Sequence, residues 1–306
     1  VDHPPGLQPG RIETGGAGDP PERINPPLFA WGEWEYYRTT GDASRLARVV
    51  DPIERLMDWI DAHRRAVFGR SRRFLLENHP DQAEPGEVRL YWFKDCGSAG
   101  MDDSPRTPRH PTAGSSFAWI DLCAQMALSF RCLARIRGVL GDTARAAHWT
   151  ARADALTDLI NREMWCERTR FYHDKSAPDN FVAHKTAASF WPILAGVCTG
   201  DRLAALIEHL LDPREFNRPV PIPTLSADDP NYNGDGLYMR GGVWASTNYM
   251  IIRGLMQAGA GQLAHELARR YLDALCETYA RFEPHTLWEC YSPERPAPGI
   301  AAYTRQ

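Results

Sequence analysis

Between Tyr91 and Arg109 the chain reads YWFKDCGSAGMDDSPRTPR, which sets two adjacent carboxylates, Asp102 and Asp103, in a Gly/Ser loop. Aromatic residues precede them and arginines follow. A carboxyl held out by such a loop can give or take a proton while aromatic faces hold a polar ligand. Taken alone, Asp102 is explained as well by a turn-capping role, because Asp-Ser-Pro is ordinary turn chemistry. Asp103, directly before Ser104 and Pro105, fits that capping role better.

A second carboxylate with comparable surroundings is Glu289 in HTLWECYSPE, flanked by Trp288 and Tyr291. A surface glutamate in a Pro-bounded loop is the plain alternative, but few such loops crowd Trp, Glu and Tyr together. Aromatic walls around a carboxyl serve both sugar binding and pKa tuning. The third constellation is LYMRGGVWASTNY, residues 237–249. Its glycines, Gly241 and Gly242, let backbone come close to a ligand, while Arg240 offers a donor fork and Trp244 a stacking face. A loop-to-helix junction with core aromatics explains the same residues, and for Trp244 both readings stand. Asp121, inside the apolar run Trp119–Leu122, is a buried acid that needs partners, as a hydrogen-bond hub or as a ligand contact. The adjacent Asp228 and Asp229 have no further ligands at useful spacing, so a metal site is rejected. No GxSxG, HExxH, phosphate-binding loop or dinucleotide fingerprint is found, and the ten histidines are dispersed.

These residues need a scaffold. The chain has 306 residues, enough for one large domain or two ordinary ones. Its 39 acidic and 35 basic residues nearly balance, which argues against a nucleic-acid partner. No apolar run is long enough for a bilayer, and no basic cluster adjoins an apolar helix. Seven scattered cysteines without a CxxC pair fit reduced thiols in a cytosolic protein, and no signal peptide is evident. Residues 1–24 read as an extended Gly/Pro-rich leading segment.

From Asn25 onward, helical spacing alternates between buried and one-sided segments. Asn25 as N-cap with Pro26 at the first position opens an aromatic helix from Pro27 to Arg38, expected to be largely buried. A second helix runs to about Arg65, with Pro52 kinking or restarting it. Ser115 and Ser116 open an apolar helix to about Leu140, followed by an amphipathic one to about Met164. His184 to Val197 and Gly242 to Ala258 are read as apolar helices, Asp201 to Leu211 and Gly261 to Arg281 as their one-sided partners. That makes four helical hairpins. Turns within hairpins are short, whereas connections between them (about 66–113, 165–183, 212–240 and 282 onward) are long. Parallel inner helices would gather all the long connections at one end, where sites are commonly built. This puts Asp102, Arg240 and Glu289 on one rim.

With the motifs assembled, a family resemblance can be stated. SAGMDDSPR resembles the general-acid loop of glycoside hydrolase family 63 and its trehalase-like relatives, usually SGMDNSPR. YMRGGVWASTNYM is similar to the family's YWRGGVWPPTNYM, and TLWECYSPE to TLWENYAPE, which carries the base. NPPLFAWGEWEYYRTTGD and PVPIPTLSADDP resemble the branch around mannosylglycerate and glucosylglycerate hydrolases. The resemblance runs in order from about Asn25 to Gly299.

It implies an all-α fold, the (α/α)6 barrel, a toroid of helical hairpins. Six hairpins are implied where four are read, so residues 25–306 are expected to form a partial barrel. Open inner faces would then favour instability, self-association into homo-oligomers or inactivity. The resemblance makes Asp102 the general acid and Glu289 the general base of an inverting α-glycosidase. In such enzymes the two stand roughly 6.5–9.5 Å apart to admit a water. Arg240, Trp244 and Tyr238 would line the sugar subsite, with Trp92 and Asp121 as further contacts. No metal or organic cofactor is implied, and the substrate would be a small α-glucoside or α-mannoside. A glycerate aglycone would need donors such as Arg106, Arg109 or Tyr232. Two other readings are a non-catalytic carbohydrate-binding relic and a sugar epimerase using His110, His184 or His285. The departures are Met239 for Trp, Asp103 for Asn and Cys290 for Asn; a carboxylate at 103 would raise the pKa of Asp102 by like-charge repulsion.

Overall fold

The computed structural model describes residues 24–68, 74–75, 88–93, 95–106, 117–177 and 180–300. The leading segment apart from Ile24, the Ser115/Ser116 helix start, Arg109 and His110 lie outside the described residues. In chain order the elements are α1 (Phe29–Thr40), α2 (Ala43–His63), β1 (Arg65–Phe68), β2 (Phe74–Leu75) and β3 (Val88–Tyr91). Next come α3 (Ile120–Val139), α4 (Thr143–Glu163), β4 (Trp165–Cys166), β5 (Phe171–Tyr172), β6 (Lys175–Ala177) and β7 (Asn180–Phe181). A 3-10 turn (Ala187–Phe190) leads into α5 (Trp191–Leu194), then α6 (Gly200–Leu211), α7 (Ala245–Gln257) and α8 (Gly261–Arg281). Helices carry the fold, and the strands are short ribbons inside the long connections.

The described residues fall into two compact units. The first comprises 1–100, 107–164 and 174–181, and holds the hairpins α1–α2 and α3–α4. Here α1 starts at Phe29, two residues later than the sequence reading, and its N-cap Leu28 makes no side-chain cap bond. The cause is local: Asn25 and Pro26 each precede a proline, which keeps them out of helical backbone. The Pro27 carbonyl instead accepts from the Ser129 hydroxyl at 2.6 Å. Contrary to expectation, α1 is not largely buried; only Ala30 is, while Phe29 and Tyr36 are exposed. Pro52 sits inside a continuous α2. The Asp42 side chain accepts from the Arg45 N–H and starts that helix, and Asp142 does the same for α4.

Helix α3 is buried on all sides from Ile120 to Phe130. It begins at Ile120, and Ala118 just ahead of it is held in an extended bridge to Lys175. Its first N–H, on Ile120, donates to the Asp174 carboxylate at 2.8 Å. Glu54 of α2 joins the two hairpins of this unit. Only 2% exposed, it accepts from Arg137 Nε at 2.7 Å, from Trp149 Nε1 at 2.6 Å and from Arg145. Burial pushes its carboxyl up, but these charge-assisted bonds outweigh that and hold it at about 2.

The second unit comprises 101–106, 165–173 and 182–306, with the β4–β5 ribbon, α5–α6 and α7–α8. The expected long helix over 184–197 is replaced by one 3-10 turn and one α-turn. Its first residues are claimed by strand-like pairing, Thr186 with Leu225 and the Ala187 N–H with the Thr224 carbonyl, and Gly196 ends it in the left-handed region. In the same way α7 starts at Ala245 because Val243 pairs with both Pro223 and Tyr291. Helix α8 spans Gly261–Arg281 as its one-sided periodicity predicts. Its inner face, Tyr271 and Ala274, packs with Val220, Val243 and Tyr291.

Candidate active site

All three constellations with chemistry come together in the second unit, and the segment 231–244 is what they share. Tyr238, at a left-handed φ of 41°, has its N–H bound to the Ile300 carbonyl at 3.0 Å. Its hydroxyl donates to Asp102 Oδ2 at 3.2 Å. The next N–H, on Met239, donates to Asp103 Oδ1 at 2.9 Å. Arg240 follows, with Nε donating to the Asp103 carbonyl at 3.1 Å and lying 3.4 Å from Asp103 Oδ2. Three successive residues thus grip the 101–106 loop. Asp103, expected as a like-charged neighbour of Asp102, also has the Arg240 guanidinium beside it.

The other end of the segment holds the Glu289 loop. Val243 and Tyr291 exchange both backbone hydrogen bonds, at 2.9 and 3.0 Å, two residues beyond Glu289. Glu294 adds a side-chain tie, accepting from the Tyr232 hydroxyl at 2.7 Å and from Arg218 Nε at 2.9 Å. Burial raises the Glu294 carboxyl, and the bonds from Arg218 and Tyr232 outweigh it and lower it. Asp102 and Glu289 are both exposed. Beside Glu289, Cys290 is buried, and burial followed by the Glu289 charge pushes its thiol up to about 11. It stays a neutral thiol.

The glycines serve a purpose other than the one expected. A Cβ on Gly242 would lie 2.2 Å from the Tyr238 carbonyl oxygen, and one on Gly241 (φ 126°) would lie 2.7 Å from the Asn233 carbonyl oxygen. The close approach they permit is to the chain itself, folding the loop that carries Tyr238 and Arg240. Trp244 caps α7, is half-buried, and donates from Nε1 to the Tyr238 carbonyl at 3.2 Å, its ring edge-on to that of Tyr238.

Other expected contacts have partners of their own. Tyr291 is 2% exposed and belongs to the core under α8, and its hydroxyl accepts from the Trp288 N–H at 3.1 Å. Trp288 is half-buried against that core. Trp92 and Asp121 lie in the first unit. The Arg64 guanidinium covers the Trp92 ring at 4.9 Å, and buried Asp121 accepts from the Leu122 N–H at 2.9 Å in the first turn of α3. Both positions have structural duties.

Asp228 and Asp229 also have structural partners. Asp228 accepts from Ser226 at 2.6 Å and from Lys185 at 2.7 Å. Asp229 pairs with His184 at 2.7 Å and accepts from the Asn231 side chain, whose own oxygen faces Arg240 at 3.4 Å. Burial raises the Asp229 carboxyl, and the His184 and Asn231 bonds overcome that and lower it. Among the described residues no three His, Cys, Asp or Glu side chains are grouped as a metal site requires. Sequence reasoning did not find Asn231, Thr224 or Glu294 as parts of this framework. Thr224 and Glu294 carried a signal, as members of the PVPIPTLSADDP and Glu289 motifs.

The chain spans about half the length of the curated relatives it matches. An uncharacterized protein of Borreliella burgdorferi is 28% identical over 280 residues, covering 90% of this chain and 53% of the relative. Mannosylglycerate hydrolase MGH1 of Selaginella moellendorffii is 26% identical over 294 residues, covering 89% and 55%. Among solved structures, the mannosylglycerate hydrolase of Thermus thermophilus in complex with Tris and D-glycerate superposes with a TM-score of 0.72. It is 18% identical over 97% of this chain and 82% of that one. That likeness establishes the fold class, the (α/α)6 barrel, to which the alternating hairpins belong. The family model of the mannosylglycerate hydrolase MGH1-like glycoside hydrolase domain matches residues 8–302, and the chain belongs to that family, within the glycoside hydrolase family 63 and trehalase-like group.

Proposed function

We propose that this chain carries the catalytic carboxylates of an inverting α-glycosidase. The observation that supports it best is the shared segment: Tyr238 binds Asp102 at one end, and Val243 pairs with the strand leaving Glu289 at the other. A loop tied at both ends fixes the spacing of two exposed carboxylates, as general acid and base work demands. Asp102 donates a proton to the glycosidic oxygen as the bond to the anomeric carbon breaks. Glu289 takes a proton from the water that attacks that carbon on the opposite face, which inverts the anomer.

The substrate class we favour is a small α-mannoside or α-glucoside with a glycerate aglycone. Its support is the family and the Thermus relatives, solved with glucose and with D-glycerate. Tyr232 and Arg106, the candidates for a glycerate, are both engaged: Tyr232 with Glu294, and buried Arg106 against Met101 Sδ at 3.6 Å. Seven free thiols, six of them buried, support a reducing compartment such as the cytosol.

Asp102→Asn and Glu289→Gln test the assignment. Each should lower turnover of mannosylglycerate or glucosylglycerate by roughly 10²–10⁴-fold with unchanged thermal unfolding, since both side chains are exposed. Near-normal turnover in either variant would sink it. NMR of the first-formed sugar reports the stereochemistry, and a retained anomer would refute inversion.

A further inference from the structure

We infer that Gly299 and Ile300 are positioning residues: the segment 297–300 pairs with the loops of both carboxylates and sets their spacing. This rests on the catalytic roles proposed above. On one edge the Ser292 N–H donates to the Ala297 carbonyl at 3.0 Å, and the Gly299 N–H to the Cys290 carbonyl at 2.9 Å. Cys290 directly follows Glu289. On the other edge the Ile300 N–H donates to the Gly236 carbonyl and the Ile300 carbonyl accepts from the Tyr238 N–H, both at 3.0 Å. Tyr238 in turn reaches Asp102 Oδ2 with its hydroxyl at 3.2 Å. The segment thus runs as a short strand between the two loops, with Pro298 bridged antiparallel to Tyr291 and Ile300 parallel to Leu237. Paired backbones keep a nearly fixed separation of about 4.7–4.9 Å, so a strand bonded on both edges is a spacer.

Residue 299 shows how tightly the spacer fits. A Cβ there would lie 2.8 Å from Cys290 Sγ and 2.8 Å from the Gly236 carbonyl oxygen. Its φ is not left-handed, so close approach and not backbone conformation calls for glycine. The two neighbours belong to different loops, Cys290 to that of Glu289 and Gly236 to that of Tyr238. Cys290 Sγ donates to the same Gly236 oxygen at 3.8 Å, so a methyl at 299 would press in where the loops meet. Carbon contacts settle at about 3.5 Å, so each neighbour has to move by about 0.7 Å. General acid and general base must reach the reacting atoms in one geometry, and a misplacement of about 1 Å costs on the order of 10²-fold.

Gly299→Ala inserts this wedge, and Ile300→Pro deletes the N–H that ties the segment to Gly236. Each should lower kcat on mannosylglycerate or glucosylglycerate about 10–100-fold per folded molecule, with KM within about twofold. Adding Cys290→Ala to Gly299→Ala makes room for the methyl and should recover at least about threefold of that loss. In a Glu289→Gln background Gly299→Ala should cost under about threefold, because the spacing of acid and base matters only while both act. Equal losses in the two backgrounds, a loss confined to KM, no recovery with Cys290→Ala, or unchanged kcat in either folded variant would overturn the inference. Crystal structures of the parent and Gly299→Ala read the separation of the Asp102 and Glu289 carboxyls without turnover. It should change by about 0.5 Å or more, and an unchanged separation would overturn the inference as well. If the parent hydrolyses neither substrate, or Glu289→Gln costs nothing, the proposed catalytic roles fail instead, and the crystallographic separation still decides whether the segment is a spacer.

Discussion

Replacing Glu54 by glutamine should unfasten the first unit, and the magnitude follows from its surroundings. The glutamate side chain is 3% exposed and receives Arg137, Arg145 and Trp149, while Arg137 also reaches Asp51 at 2.5 Å. Glutamine retains the shape but turns an NH2 toward guanidinium donors and removes the charge that compensates them. Breaking a buried ion pair in this way costs about 3–5 kcal/mol.

The same contacts also set a pH dependence, and its size is of the same order. The folded carboxyl sits at about 2 against an ordinary value of 4.5, a difference that corresponds to about 3 kcal/mol. Because the folded value is the lower one, the unfolded chain binds the proton first as pH falls. The stabilisation is therefore complete above about pH 4.5 and disappears as pH drops towards 2. Urea unfolding at a series of pH values, with hydrogen exchange followed in α2, α3 and α4, measures it. The stability gap between the parent and Glu54→Gln should be a few kcal/mol at pH 6 and close progressively between pH 4.5 and 2. A gap under 1 kcal/mol at pH 6, or one that stays constant down to pH 2.5, would refute the reasoning.

Two shorter expectations concern the second unit. Gly242→Ala places a methyl 2.2 Å from the Tyr238 carbonyl oxygen and 3.2 Å from Trp244 Nε1. It should destabilise by about 1–3 kcal/mol and depress turnover by displacing Tyr238, as urea midpoints and kinetics would register; full activity would show that the loop tolerates rearrangement. Of the seven cysteines only Cys276, on α8, is exposed. The native chain should therefore show one rapidly reacting thiol towards an aromatic disulfide reagent, and Cys276→Ser should remove it; two or more fast thiols would contradict the described packing.

Much of the site was legible in the chain because its chemistry is written in short motifs. The Asp102 loop, the Arg240 segment and the Glu289 loop each declare a residue type in a recognisable setting. What the chain did not disclose are the pairings among them, since those join residues far apart in sequence. Tyr238 was read as a sugar contact, and nothing in the chain said that its hydroxyl reaches Asp102, 136 residues away. Tyr291 looked like an aromatic wall beside Glu289, and is instead in the core under α8, because its backbone pairs with Val243 and turns its ring inward.

The same division runs through the fold. Helices α2, α6 and α8 could be bounded from sequence to within a couple of residues, because one apolar stripe or an aspartate cap is a local property. The 187–194 segment and the start of α7 could not, because Thr224, Leu225 and Tyr291 draw their backbone groups into non-local pairs that outweigh helical spacing. By itself the sequence determined the kind of residue available for proton transfer and the helices that carry the loops. Tertiary structure alone decided that Asp103 faces Arg240, that the glycines make room for the chain itself, and that Asp102 meets a tyrosine. Such contacts depend on hydrogen-bond geometry between segments that approach each other only after the helices have packed.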